Sequence, residues 1–215
     1  MNQECVETSY VGCKHKKAQS VLKRAIDMAI SAVLLFLLLP LLLLLAALVA
    51  LEDGWPVIYF RRVVGRSGEF NAYKFRSMRK DADAILSANL VMKEKFERNF
   101  KLKHDPRVTR VGAWLRKLSL DELPQLFNVL MGQMSLVGPR MISPPELKKY
   151  GPYKELLLVV RPGLTGYWQV NGRQSVDYDE RMRMDLHYVN NWSLALDLKI
   201  LIKTPYAVLR REGAY

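Results

Sequence analysis

The feature that most constrains this chain is a run of apolar residues from Ala29 to Leu51, interrupted only by Ser31 and Pro40. As an α-helix the run would reach roughly 35 Å, enough to cross the hydrocarbon core of a bilayer. It is too long for the hydrophobic core of a signal peptide, and Glu52 and Asp53 follow it directly where a small-residue cleavage site would stand. The run is therefore expected to be retained as a membrane element. Lys14, Lys16, Lys17, Lys23 and Arg24 precede it, and Arg61, Arg62, Arg66, Lys74 and Arg76 follow it. Basic flanks prefer the cytoplasmic side. A simple span would place one flank outside, whereas a hairpin that leaves by the face it entered satisfies both. Pro40 sits mid-run, lacks a backbone donor and clashes with the carbonyl of Phe36, so a bend is expected there. A kinked helix that still spans is the alternative, because proline is tolerated in such helices.

The 215 residues suffice for one globular domain beside that element. A net charge of +12 points to anionic partners: nucleic acid, acidic lipid headgroups or phosphorylated substrates. The membrane run favours the last two. Cys5 and Cys13 match no common zinc spacing, and His15, His104 and His187 form no local ligand pair. No aromatic RNA-binding motif is present either, so no nucleic-acid partner is expected. The cysteines read as free thiols near the N-terminus, which a cytoplasmic location would keep reduced.

The chain divides into an N-terminal arm (1–22), the membrane helix (23–53) and one domain (54–215). Residues 55–60 and 69–75 read as short strands around the turn Gly65-Arg66-Ser67-Gly68. Residues 81–99 read as one exposed amphipathic helix. Apolar residues at 123, 126, 127, 130 and 134 make a helical stripe. Residues 193–209 mix Leu and Ile with Asp197, Lys199 and Lys203, which suits a buried helix or one lying in the membrane surface.

Chemistry concentrates in Arg116-Lys117-Leu118-Ser119-Leu120-Asp121-Glu122-Leu123-Pro124-Gln125. Pro124 belongs in a first helical turn, where its missing donor costs little, so a helix should start near Leu120 or Asp121. A helix start favours ionised carboxylates and bound phosphate. The structural alternative is a capping box from Ser119 to Glu122, with Asp121 in the first turn. Cations surround the pair in sequence: Lys74 and Arg76, Arg107 and Arg110, Arg116, Arg140 after Gly138-Pro139, and Arg161 before Pro162-Gly163. Arginines beside glycine and proline turns can present rigid forks to phosphate, although any one of them alone reads as a solvated surface charge.

These motifs resemble the monotopic phosphoglycosyl transferases, or bacterial sugar transferases. The resemblance runs from about Lys23 to the C-terminus and rests on residues 74–78, 105–112, 115–130 and 134–140. It is extended by Arg-Pro-Gly-Leu-Thr-Gly-Tyr-Trp-Gln-Val (161–170) and Asp-Leu-His-Tyr-Val-Asn-Asn-Trp-Ser (185–193). It implies an irregular, mostly helical α/β cytosolic domain with short strands, a re-entrant membrane helix bent at Pro40, and interfacial amphipathic helices. It further implies transfer of a hexose phosphate, glucose or galactose, from a UDP-sugar to polyprenyl phosphate at the cytoplasmic face of the inner membrane, using Mg²⁺. The family's nucleophilic aspartate falls on Asp121 and its partner glutamate on Glu122, the two residues also expected at the metal. The family's phosphate-binding positions fall on Lys74, Arg116 and Arg140, with Arg76, Arg107 and Arg161 as further candidates. A homo-oligomer is compatible with this picture. Two positions depart from the usual pattern: Leu39 stands before Pro40 where serine is usual, and Met141 follows Gly138-Pro139-Arg140 where proline is usual. The non-enzymatic alternative is a membrane-anchored basic scaffold that binds anionic lipid, which gives no reason for Asp121-Glu122 among arginines.

Overall fold

The computed structural model describes residues 17–99, 102, 105–172 and 176–209; Cys5, Cys13, Lys14, His15, Lys16 and His104 lie outside these. Among the described residues the chain is mostly helical, with short strands and one long apolar helix, α1 (Lys17–Asp53), long enough to cross a membrane. α1 begins at Lys17, ahead of the expected Lys23, and stays helical through Pro40. One stripe of it is buried, marked by Asp27, Ser31, Leu35, Leu42, Leu45 and Val49. The remaining faces expose Val33, Phe36, Leu37, Leu39, Leu43 and Leu44, with Phe36 at 79%. A helix this apolar and this uncovered suits lipid, not water.

Both ends of α1 are bonded to the same globular domain. At the N-terminal end, Lys23 Nζ donates to Asp197 Oδ2 (2.7 Å) and to the Val137 carbonyl (3.1 Å). The Asp27 carboxylate accepts from Ser135 Oγ (2.7 Å) and the Leu136 N–H (3.2 Å). Asp197 also accepts from Tyr188 Oη (2.7 Å) and Trp192 Nε1 (3.0 Å), so this buried network has partners for its charges. At the C-terminal end, the Glu52 carboxylate accepts the N–H groups of Arg110 and Val111, and Asp53 pairs with Arg76.

The expected hairpin forms, but its first strand runs 58–65 and not 55–60. β1 (Ile58–Gly65) and β2 (Gly68–Phe75) pair antiparallel, with Gly65 opposite Gly68 across Arg66-Ser67. Gly68 holds φ at +106°, open to glycine at little cost. The stretch read as one exposed helix is two, α2 (Ala82–Ala88) and α3 (Leu90–Asn99). Asn89 between them is extended, and its Oδ1 accepts the Met92 N–H at 2.9 Å, which starts the second helix.

The centre of the domain follows as α4 (Arg110–Lys117), a 3-10 turn (Leu120–Glu122) and α5 (Gln125–Leu130), leading through Gly132 to β3 (Ser135–Val137). The apolar stripe of 123–134 is therefore only partly helix: Gly132, at φ +82°, ends it, and Met134 is buried in the connection. Next come α6 (Pro144–Leu147), a 3-10 stretch (Lys148–Tyr153), α7 (Lys154–Leu158) and β4 (Gly163–Thr165). α8 (Tyr167–Asn171), α9 (Tyr178–Asn190) and α10 (Leu194–Leu209) complete the chain as described. β4 pairs parallel with β3. The core joins Leu42, Leu45 and Val49 of α1 to Leu115, Leu126, Val129, Leu136, Tyr188 and Ile200. α10 is buried on one face, with Asp197 and Ile200 inside, as one of the two expectations for 193–209 had it, while Leu198, Ile202 and Tyr206 form an exposed apolar row.

Candidate active site

Three close backbone approaches assemble the site. The Asn128 side chain, fully buried in α5, accepts the Tyr73 N–H (2.9 Å) and donates to the Asn71 carbonyl (2.8 Å). It thereby fixes the segment that carries Asp121 and Glu122 against β2, where Lys74 is the next residue. Gly112 of α4 sits on the backbone of Ser77; any Cβ there would lie 2.1 Å from the Ser77 carbonyl oxygen. That contact brings Arg116, four residues on, to Ser77, whose Oγ accepts from its Nε at 2.8 Å. Gly138 and Gly163 cross at a distance that leaves no room for a Cβ on either. The Gly163 N–H donates to the Pro139 carbonyl (2.8 Å), which pins the loop that presents Arg140.

Asp121 and Glu122 lie in the 3-10 turn, not in an α-helical first turn; the α-helix starts only at Gln125, with Pro124 as its N-cap. Ser119 is left-handed (φ 55°) and makes no capping hydrogen bond, so the capping-box reading is wrong. A serine that caps through its side chain typically takes extended backbone and accepts an amide N–H of the first turn; left-handed Ser119 does neither. A non-glycine residue held in this region is a local strain that surrounding structure must maintain.

The carboxylates have unequal surroundings. Lys74 Nζ is 2.5 Å from Glu122 Oε1 and 3.7 Å from Asp121 Oδ2. Asp121 is 6% exposed. Burial raises its carboxyl above the usual range; Lys74 opposes this most, Glu122 adds to it, and Arg116 opposes it further. Burial also works against the Glu122 carboxylate, but the contact with Lys74, and then Arg140 and Arg61, hold it below the usual range. The pair thus faces two ways, Asp121 toward Arg116 and Glu122 toward Arg140 and Arg61.

Arg140 is deeply set over the Trp168 ring, 5.2 Å from its centroid. Burial lowers its guanidinium pKa, and the like charges of Arg181 and Arg61 lower it further. Its Nε has no hydrogen-bond partner among the described residues. Buried Glu146 pairs with Arg181 (2.7 Å) and Arg61 (3.4 Å), holding both cations near Arg140. The Arg140 N–H donates to Asp185 Oδ1 at 3.1 Å. Burial pushes the Asp185 carboxyl up to about 7.

The other candidate cations are bonded to the protein itself, the Arg107–Asp105 pair within electrostatic reach of Arg116. Arg76 donates to the carbonyls of Asp53, Gly54 and Pro56, clamping the connection after α1. Arg107 grips Asp105 through Nε (2.8 Å) and Nη2 (2.7 Å), with Phe96 beneath it. Arg161 donates through Nε to the Gly132 carbonyl (2.7 Å), at the far end of α5. Arg61, Arg181, Glu146 and Asp185 join the site without having stood out as site residues in the sequence. Asp185 opens the 185–193 motif, but the others meet only through long-range packing and carry no local signal.

No cluster of three or more His, Cys, Asp or Glu side chains occurs among the described residues. Two adjacent carboxylates nevertheless suit Mg²⁺, which is commonly held by one or two carboxylates together with substrate phosphates.

A sequence profile described as bacterial sugar transferase matches residues 18–211. The undecaprenyl-phosphate galactose phosphotransferase of Salmonella typhimurium is 48% identical over 205 residues, which cover 93% of this chain and 43% of that protein. The exopolysaccharide production protein ExoY of Sinorhizobium fredii is 46% identical over 198 residues, 90% of this chain and 88% of ExoY. The undecaprenyl-phosphate glucose phosphotransferase of Komagataeibacter xylinus is 40% identical over 195 residues, 85% of this chain and 35% of that protein. Against relatives such as the Salmonella protein, the chain spans less than half of the relative's length.

Proposed function

Because the chain belongs to the bacterial sugar transferase family, we propose that it moves a hexose 1-phosphate from a UDP-sugar to undecaprenyl phosphate and releases UMP. The names of relatives that act on galactose and glucose support these two hexoses as the donor's sugar. The observation that carries the reading is a buried Asp121 beside an ionised Glu122, with Lys74 against both and Arg116 and Arg140 on either flank.

In the first step an Asp121 carboxylate oxygen attacks the sugar-bearing phosphorus, and the bond from that phosphorus to the oxygen bridging it to UMP breaks. UMP departs with the bonding pair. In the second step a phosphate oxygen of the polyprenyl acceptor attacks the same phosphorus and frees Asp121. Splitting the transfer lets a soluble donor and a lipid acceptor use one site in turn. Lys74 lies between the two carboxylates and offsets their charge when a diphosphate approaches. Arg116 and Arg140 offer forked donors to the phosphate oxygens. Asp121 and Glu122 would hold Mg²⁺, which when bound neutralises developing charge on the diphosphate.

The same proposal includes the membrane topology. α1 enters and leaves by the cytoplasmic face of the inner membrane. Its support is that Lys23, Arg24 and Asp27 at one end and Glu52 and Asp53 at the other are all bonded to a single domain. A domain on one face cannot hold both ends of a spanning helix.

The test is mass spectrometry of purified enzyme trapped with UDP-glucose or UDP-galactose and no lipid acceptor. A hexose phosphate on the peptide containing Asp121, with stoichiometric UMP, is expected. Label on another residue, or UMP release only when acceptor is present, overturns the covalent reading.

A further inference from the structure

The second cationic cluster of the molecule lies away from the carboxylate pair. Arg24, Arg66 and Arg161 line a cleft of about 420 Å³, whose remaining walls include Val21, Ala25 and Met28 of α1. Arg24 donates to the carbonyls of Val129 (2.6 Å) and Leu130 (2.9 Å), and Arg161 to that of Gly132. Both arginines thus cap the C-terminal end of α5, whereas Asp121 and Glu122 precede its N-terminal end. Roughly 9 Å of helix separates those ends. Arg66 comes from the tip of the β1–β2 hairpin and is exposed.

Among the described residues, no carboxylate forms an ion pair with Arg24, Arg66 or Arg161. Three guanidinium groups gathered without an ion-paired carboxylate repel one another. The Arg161 guanidinium registers this: burial lowers its pKa most, then the charges of Arg24 and Arg66, with Asp27 opposing least. The apolar part of the cleft has a direction. Val21, Ala25 and Met28 share one face of α1, and that face runs on through Ala32 to Phe36, into the exposed apolar surface. The cleft therefore joins a triple cation at its mouth to a surface suited to acyl chains, at the point where α1 passes from charged to apolar sequence.

We propose that this cleft holds the phosphodiester headgroup of an anionic phospholipid, with its acyl chains laid along the Val21–Met28–Phe36 face of α1. The site is structural and separate from the transfer chemistry, and it rests on the reading of α1 as a membrane element. A guanidinium cluster at the interface attracts anionic headgroups. It explains why Arg66 is placed on the hairpin tip, where it has no protein partner among the described residues.

The test uses the full chain in nanodiscs of equal parts phosphatidylglycerol and phosphatidylcholine, with retained lipids read by native mass spectrometry. One phosphatidylglycerol is expected to persist, in several-fold excess over phosphatidylcholine. Arg66→Gln and the pair Arg66→Gln with Arg161→Gln should lose that excess stepwise while the protein stays in the nanodisc. The single variant guards against misfolding, since only Arg161 of the two has a backbone partner to lose; its melting temperature should match that of the parent. An unchanged lipid preference in Arg66→Gln and in the double variant overturns the proposal. Preferential retention of added polyprenyl phosphate would assign the cleft to the acceptor and also overturn it. Full displacement of the lipid by inorganic phosphate would reduce the cleft to a free-anion site and overturn it likewise. A chain that fails to enter nanodiscs at all would instead refute the membrane reading of α1.

Discussion

Arg76 and Arg140 occupy similar sequence settings, each in a basic motif near a turn, yet their guanidinium groups face opposite kinds of partner. Arg76 is 8% exposed, and its two terminal nitrogens close on three backbone carbonyls and the Asp53 carboxylate, although its Nε, like that of Arg140, has no partner among the described residues. Arg140 is braced by Trp168 beneath and by like charges beside it, and its Nε meets no protein acceptor among the described residues. Arg107 and Arg116 repeat the contrast: one is locked to Asp105, while the other touches a single hydroxyl and is felt by Asp121. Burial alone does not distinguish a binding arginine from a structural one. The difference is whether the protein itself has answered the donors.

The contrast can be broken most sharply at the residue the unanswered cations surround. Asp121→Asn keeps the shape but removes the ionised oxygen, and UMP release should fall by at least roughly a thousandfold. Asp121→Glu should fail as well, because an added methylene displaces the oxygen and ~1 Å of misplacement can cost on the order of a hundredfold. Residual turnover near the parent rate in either variant would return the pair to a merely structural role.

Next in size is the exchange of fork for point charge. Arg140→Lys should lower turnover on the order of a hundredfold and leave the melting temperature close to that of the parent, since little protein bonding is lost. Arg76→Gln should do the converse. It leaves buried carbonyls and Asp53 without their partner and should destabilise the fold by about 3 kcal/mol, with turnover per folded molecule little changed. Thermal melts in detergent and active-site titration separate the two. If both variants lose activity equally at equal stability, the distinction between binding and structural arginines fails.

The last test bears on stability and not on turnover, and concerns the carboxyl behind Arg140. Burial pushes Asp185 up to about 7, above its usual range, so the folded state holds this proton more tightly than the unfolded chain does. Stability from this group is therefore highest below about pH 4. It is lost as pH rises toward 7, by no more than about 1.4 kcal/mol per pH unit, and is flat above. In Asp185→Asn that decline should vanish. A variant whose stability still falls between pH 4 and 7 as the parent's does would place the titration elsewhere.

Much of the fold is legible in the sequence because it rests on local rules. The apolar run, the hairpin about Gly65 and Gly68, and the placement of Pro124 at a helix start each follow from a few neighbouring residues. Sequence and structure part where one residue switches backbone state. Asn89 ends one helix and caps the next, and left-handed Ser119 turns an expected helical start into a 3-10 turn. At the site, motif resemblance points to Asp121, Glu122, Lys74, Arg116 and Arg140, and the structure brings them together. Glu146 with Arg61 and Arg181 is not visible in sequence, because the three are brought together only by packing between β1, α6 and α9. Arg76 and Arg107 cannot be told from Arg140 in sequence, since the carbonyls and the ring they meet belong to the tertiary structure.

The bond from Lys23 to Asp197 spans 174 residues of chain. During synthesis at roughly 5–20 residues per second, the basic end of α1 therefore exists for about nine to thirty-five seconds before its acidic partner does. Throughout that interval Lys23 and Asp27 have only each other, at 4.0 Å, and water. On the proposed topology a headgroup layer supplies that water and a hydrocarbon core does not, so this end of the nascent helix would wait at the interface. On that topology, the late arrival of Asp197, Tyr188 and Trp192 would act as a latch that closes this end of α1 onto the domain.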